Sequence, residues 1–110
     1  MKTYELRTYW LSTPEAAQAY VDTHWPRHIP SLSKFGITTR GIWLAAATEY
    51  DPSNRVVALV SYADGIDPAA ASADFMGSAD FREDMAGFSP ADILRVEAVA
   101  LEPAAASPLA

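Results

Sequence analysis

An α+β fold with four antiparallel strands follows from three features of the sequence. Runs rich in β-branched and aromatic residues occur four times, over residues 2–11, 37–48, 55–63 and 93–101. Helix signals fill the two long gaps, between the first and second runs and between the third and fourth. The second and third runs are joined by the turn-forming segment EYDPSN at residues 49–54, so they form a hairpin. Strand, helix, strand, strand, helix, strand is the split βαβ order of ferredoxin-like domains. Right-handed crossovers then place strand one between strands three and four, with every neighbour antiparallel.

In the first strand Tyr4, Leu6, Thr8 and Trp10 alternate with Thr3, Glu5, Arg7, Tyr9 and Leu11. Aromatics on both sides imply that both faces are covered: one by helices, and the face with Glu5, Arg7 and Tyr9, or its alternate, by a second copy of the sheet. Ser12-Thr13-Pro14-Glu15 opens the first helix with a hydroxyl cap, Pro in the first turn and Glu placed to reach back. Ala17, Tyr20 or Val21, His24, His28 and Leu32 recur at three and four residues, and Gly36 stops the helix. Pro26 and Pro30 predict a kinked or two-part helix with its break near Trp25.

Gly41 is a candidate bulge in the second strand, with Arg40 expected beside Ile42 and Leu44, and Trp43 beside Ile37 and Thr39. Residues 55–63, RVVALVSYA, are apolar on both faces and suit a central strand. Asp67-Pro68 caps an Ala-rich helix, and Ser78 and Gly87 bracket a shorter one carrying Phe81 and Met85. In the last strand Arg95 and Glu97 alternate with apolar residues. If they share a face with Glu5 and Arg7, like charges must not oppose, so Glu5 is expected opposite Arg95 or Arg7 opposite Glu97. Residues 1–102 form the domain, followed by an extended Pro- and Ala-rich tail at 103–110.

The 110 residues make one domain with one core, small enough to gain from dimerising. A net charge of −6 with scattered basic residues excludes a nucleic-acid surface and disfavours an anionic membrane. The absence of cysteine excludes disulfides, thiolate chemistry and Cys-ligated metal. The N-terminus alternates instead of running apolar, so neither a signal peptide nor a membrane span is expected, and the cytoplasm is the expected location.

Residues 20–36 hold both histidines. His24 and His28 stand one helical turn apart, with Trp25 beside them and Tyr20 a turn back, and form either the floor of a pocket or a piece of core. Because the residue before a proline is pushed out of helical conformation, His24 is expected to point into the cavity and His28 towards a helix end or solvent. A lining set of Tyr4, Trp10, Tyr20, Trp25, His28, Trp43, Tyr62, Phe75, Phe81 and Met85 suits a flat apolar or aromatic molecule, though a core would contain the same residues. Arg40 must find an anion, a ring face or water. No phosphate loop, HExxH, nucleophile elbow or dinucleotide fingerprint occurs, so no metal or cofactor is expected.

Four stretches are distinctive together: YELRTYWL at residues 4–11, the His24-Trp25 pair, RGIWL at 40–44 and RVVALVSYAD at 55–64. They resemble the NIPSNAP family, a branch of the dimeric α/β-barrel superfamily, over nearly the whole chain to about Leu101. The resemblance implies two ferredoxin-like protomers packed sheet to sheet as a homodimer, each with a cavity between its sheet and helices. It also implies a cofactor-independent monooxygenase, an isomerase or a cyclase acting on an aromatic or polyketide-like substrate. From the residues themselves, an enzyme would use His24 or His28 as general base, His24 being the one expected in the cavity, and Arg40 as the group that stabilises the oxyanion. The alternatives are a binding module that holds a small ligand without turnover, and a haem-binding protein with one His as axial ligand.

Overall fold

The computed structural model describes residues 2–50 and 54–109. In chain order its elements are β1 (Thr3–Leu11), α1 (Pro14–Ala19), a π-helical turn (Tyr20–His24), α2 (Trp25–Ser33), β2 (Ile37–Ala45) and β3 (Asn54–Tyr62). They continue with α3 (Pro68–Met76), α4 (Ala79–Asp84), a 3₁₀ turn (Pro90–Asp92) and β4 (Ile93–Leu101). The sheet order is β2-β3-β1-β4, all antiparallel, so the ferredoxin-like α+β topology read from the sequence is the one observed. Residues 51–53 of the expected hairpin turn lie outside the described residues.

The helices lie on one face of the sheet. On that face Val56, Ala58, Val60 and Tyr62 of β3 are sealed from solvent beside Tyr9 and Leu11 of β1, and Ala16, Ala17, Tyr20, Trp25 and Leu32 cover them. β3 is central, as its two-faced apolar pattern requires. The caps form as read: the side chains of Thr13, Asp67 and Ser78 accept from the backbone N–H groups of Ala16, Ala70 and Phe81, and Pro follows two of the three.

The register corrects one expectation. Glu5 and Arg7 share the helix face with Tyr9, while Arg95 and Glu97 point to the opposite, open face. Glu5 faces Ala100 and Arg7 faces Ala98, whereas Arg95 and Glu97 lie opposite Trp10 and Thr8. An offset of one residue thus separates the two charge pairs, and each closes on its own strand: Arg7 to Glu5 at 2.7 Å and Arg95 to Glu97 at 2.8 Å. Arg95 also lies over the Trp10 ring, 4.5 Å from its centroid.

The open face is made by Tyr4, Leu6, Thr8 and Trp10, not by Glu5, Arg7 and Tyr9. Tyr4 is buried there because the tail folds back in turns instead of extending, and the Tyr4 hydroxyl donates to the Leu109 carbonyl at 2.6 Å. β2 departs from simple alternation at the Gly41 bulge. Arg40 faces the open side by plain alternation from Ile37, and its Nε donates to Ser61 Oγ at 2.9 Å; the extra residue then carries Trp43 to the same face and leaves Ile42 against the core. Glycine at position 41 lets the Trp43 ring lie over the strand: a Cβ there would stand 2.4 Å from the ring, which would have to swing aside.

The first helix is in two parts joined by the π-helical turn just before Trp25, as the prolines predict, but Trp25 itself does not leave helical conformation, at φ −63° and ψ −40°. Instead the turn just before Pro26 widens, and the Trp25 N–H donates to the Tyr20 carbonyl five residues back. A wider turn makes room for the proline ring and absorbs its missing donor. It also inserts one residue of helical phase, so Trp25 takes the inward place that unbroken α spacing would give His24.

Candidate functional site

A cavity of about 580 Å³ lies between the sheet and the helices. Its floor is Glu5, Arg7 and Tyr9 of β1 with Val96 and Ala98 of β4, because alternate residues of neighbouring strands face the same way. Tyr20, Trp25, His28 and Leu32 of the first helical segment form one wall. Ser72, Phe75 and Met76 of α3, with Phe81 and Met85 in and after α4, form the other. A space of this size, apolar with a few convergent polar groups, fits a small ring system.

Two polar clusters face the cavity. At the sheet end, Arg7 Nε donates to Glu5 Oε1 at 2.7 Å, and Arg7 Nη2 donates to Tyr62 Oη at 2.8 Å and to Ser72 Oγ at 3.1 Å. The Tyr62 hydroxyl donates in turn to Glu5 Oε1 at 3.1 Å. Burial works to lower the Arg7 pKa, but Tyr9, the Glu5 bond and Tyr62 outweigh it and hold the guanidinium charged. Burial likewise raises the phenol pKa values of Tyr9 and Tyr20, with Arg7 opposing the shift at Tyr9 and Tyr9 adding to it at Tyr20. Both phenols are therefore protonated donors at neutral pH.

The second cluster is His28 with Asp84. Three side chains on one face of the first helical segment, His24, Arg27 and His28, close over the C-terminal end of α4. His24 Nδ1 lies 2.9 Å from the Asp84 carbonyl oxygen, and Arg27 Nη1 donates to the carbonyls of Asp84 and Ala86 at 3.3 Å each. His28 Nδ1 lies 3.0 Å from Asp84 Oδ2, in a pair whose side chains are only 3 % and 10 % exposed. An ionised carboxylate only accepts, so the His28 proton sits on Nδ1 and the lone pair on Nε2. Burial lowers the His28 pKa, the Asp84 bond opposes that, and the net shift is downward, so the ring is neutral near pH 7. Phe81 stacks on it with centroids 5.8 Å apart, and Phe75 and Trp25 meet it edge-on.

The structure brings together Tyr20, Trp25, His28, Phe75, Phe81 and Met85 of the residues expected at the site. It places the others elsewhere. His24 is buried against Phe88 and the end of α4, not in the cavity, because the π-helical turn rotates Trp25 into its place. Arg40, Trp43, Tyr4 and Trp10 belong to the open face of the sheet. Tyr62 sits behind the floor and holds Arg7. Glu5, Arg7, Tyr9, Ser72 and Asp84 were not among the expected site residues. The first three carried a signal in the alternation of β1, whose mixed face is the helix-covered one. Among the described residues no group of three His, Asp or Glu is placed to hold a metal ion, and no helix is long and apolar enough to cross a membrane.

The NIPSNAP family model matches residues 4–108, which takes in the tail as well as the sheet and helices. The chain belongs to the NIPSNAP family. A NIPSNAP-like domain protein from Burkholderia xenovorans, described as uncharacterized, superposes with a TM-score of 0.75 at 22 % identity, over 97 % of this chain and 89 % of that one. A NIPSNAP family protein of unknown function from Agrobacterium tumefaciens gives 0.73 at 24 % identity, over 99 % and 94 %. The fold extends to a candidate antibiotic biosynthesis monooxygenase from Bacteroides thetaiotaomicron, at 0.56 and 18 % identity over 93 % and 89 %. No curated protein matches the sequence.

Proposed function

We propose that this NIPSNAP domain is a small-molecule enzyme, a cofactor-independent oxygenase or an isomerase or cyclase, acting on an aromatic or polyketide-like substrate in the cavity between sheet and helices. One observation carries the reading: a neutral imidazole, its Nδ1–H fixed on a buried carboxylate, lines the same apolar cavity as a buried guanidinium. The base is His28 and the charge-stabilising group is Arg7, in place of His24 and Arg40. His28 Nε2 takes a proton from an acidic C–H or phenolic O–H, leaving the bonding pair on the substrate and an imidazolium that Asp84 stabilises. Arg7 and the Tyr9 phenol offer donors to the oxygen on which the charge settles. Proton abstraction is the step that oxygenation and isomerisation share.

The working unit in this reading is a homodimer. Its support is the open sheet face, where Leu59, Leu6 and Val99 lie in a row across β3, β1 and β4 and Trp43 is half exposed beside them. Exchange of the acidic methylene protons of a hydroxylated anthrone into deuterated water, followed by NMR, tests the catalytic reading. Wild-type protein is expected to accelerate exchange, His28→Gln to remove the acceleration, and His24→Ala to keep most of it. Exchange at the background rate with bound probe would sink the enzyme and leave a binding module.

A further inference from the structure

Among the described residues, the charges that line the cavity cancel and leave no cation free. Glu5 and Arg7 both line it and neutralise one another at 2.7 Å, with side chains 19 % and 11 % exposed. A second carboxylate, Asp84, stands directly behind His28. The other ionisable lining groups among the described residues are the phenols of Tyr9 and Tyr20 and the His28 imidazole. Burial keeps all three uncharged near neutral pH. The one lining carboxylate and the one lining guanidinium therefore cancel, and among the described residues no lysine or second arginine lines the space; Arg27, at the Asp84 carbonyl, lies outside it.

We infer that the cavity takes its ligand uncharged, as a phenol or enol and not as a carboxylate or phosphate, and that Glu5 sets this preference by neutralising Arg7. The inference rests on the cavity being the ligand site, as proposed above. An anionic ligand would bring an unmatched negative charge into a poorly solvated space whose one lining guanidinium among the described residues is already paired, and would lose its hydration for no new counter-ion. A neutral ligand has no such cost. When it gives its proton to His28 the total charge is unchanged: the imidazolium forms between the new anion and Asp84, and the two opposite charges are created side by side. Arg7 stays in place throughout, since Tyr62 and Ser72 hold Nη2 while Glu5 holds Nε. It contributes hydrogen bonds more than free charge.

Calorimetric titration of the full chain at neutral pH with 2-naphthol and with 2-naphthoate tests this, because the two probes share a ring system and differ in charge. Wild-type protein is expected to bind 2-naphthol more tightly by about tenfold or more, the effect of roughly one unshielded charge contact. Glu5→Gln frees Arg7 and should narrow or reverse that ratio by about tenfold. Arg7→Met leaves Glu5 alone and should widen it, which gives a second reading if the first variant does not fold. Equal binding of the two probes by wild-type protein, or a ratio unmoved in the folded variants, would overturn the inference and leave the cavity as a site. Heat from neither probe would overturn the inference and the site together.

Discussion

Replacing His28 by Gln should cost stability in a way that depends on pH, and the direction follows from its surroundings. The ring is stacked on Phe81 and edge-on to Phe75 and Trp25, with centroids 5.8, 5.3 and 5.4 Å away. Losing three such contacts, while Gln retains a donor for Asp84, costs roughly 2–3 kcal/mol when the ring is neutral. The folded-state pKa of His28 lies below its ordinary 6.5, chiefly through burial. The folded protein thus binds fewer protons at this site than the unfolded chain does. The stability that the neutral ring provides is complete above about pH 6.5 and is lost as pH falls through the folded pKa, by at most about 1.4 kcal/mol per pH unit.

Gln does not titrate, so the gap between wild type and His28→Gln should be widest near pH 8 and narrow steadily as the pH falls below about 6.5. Urea unfolding followed by tryptophan fluorescence reads this directly, since Trp25 is buried in the core against the imidazole. Taking the difference between the two proteins cancels carboxylates that titrate alike in both. A gap that stays constant or grows on acidification would show that the ring is not held neutral by burial, and the argument for His28 as a base would fail with it.

Two further outcomes are expected. Gly36→Ala should lose about 1–2 kcal/mol, because φ is +77° and a Cβ would meet Ile66 Cγ1 at 3.0 Å, whereas Gly65→Ala, at φ +81° with nothing within 4 Å, should lose less; thermal melts of the pair compare them. Leu6→Asp should split the proposed dimer by placing a charge in the middle of the Leu59–Leu6–Val99 row, and sedimentation showing wild-type monomer at micromolar concentration would remove the dimer altogether.

The topology was legible because each signal that carries it is local. Strand runs, hydroxyl and Asp caps, a turn-rich hairpin link and prolines in first helical turns all act within a few residues. The crossover rule then leaves β2-β3-β1-β4 as the order. The face assignment was less legible, since the period of a strand is two and nothing within β1 says which side meets the helices. Tyr4 and Leu6 look as apolar as Tyr9 and Leu11. The decision lies in contacts remote in sequence: Tyr62 and Ser72 hold Arg7 under the helices, and Leu109 returns to cover Tyr4.

Two errors at the site share one physical origin, an extra residue in a regular element, while Arg40 lies on the far face by plain alternation from the buried Ile37. In β2 the bulge at Gly41 reverses the alternation and puts Trp43 on the far face of the sheet as well. In the first helical segment the π-helical turn advances the phase and exchanges His24 for Trp25 on the inner side. Spacing rules fixed at 2 and 3.6 residues cannot register such an insertion, although its markers, a glycine within a strand and a proline within a helix, were both visible. Beyond the π-helical turn regular spacing resumes: Trp25, His28 and Leu32 follow at three and four residues and are all buried. The His28–Asp84 pair therefore depends on the widened turn. Loss of the wide turn without loss of a residue, which exchange of Pro26 for Ala favours, would rotate α1 against α2 by one residue of helical phase and take Tyr20 out of line with Trp25 and His28 on the cavity wall.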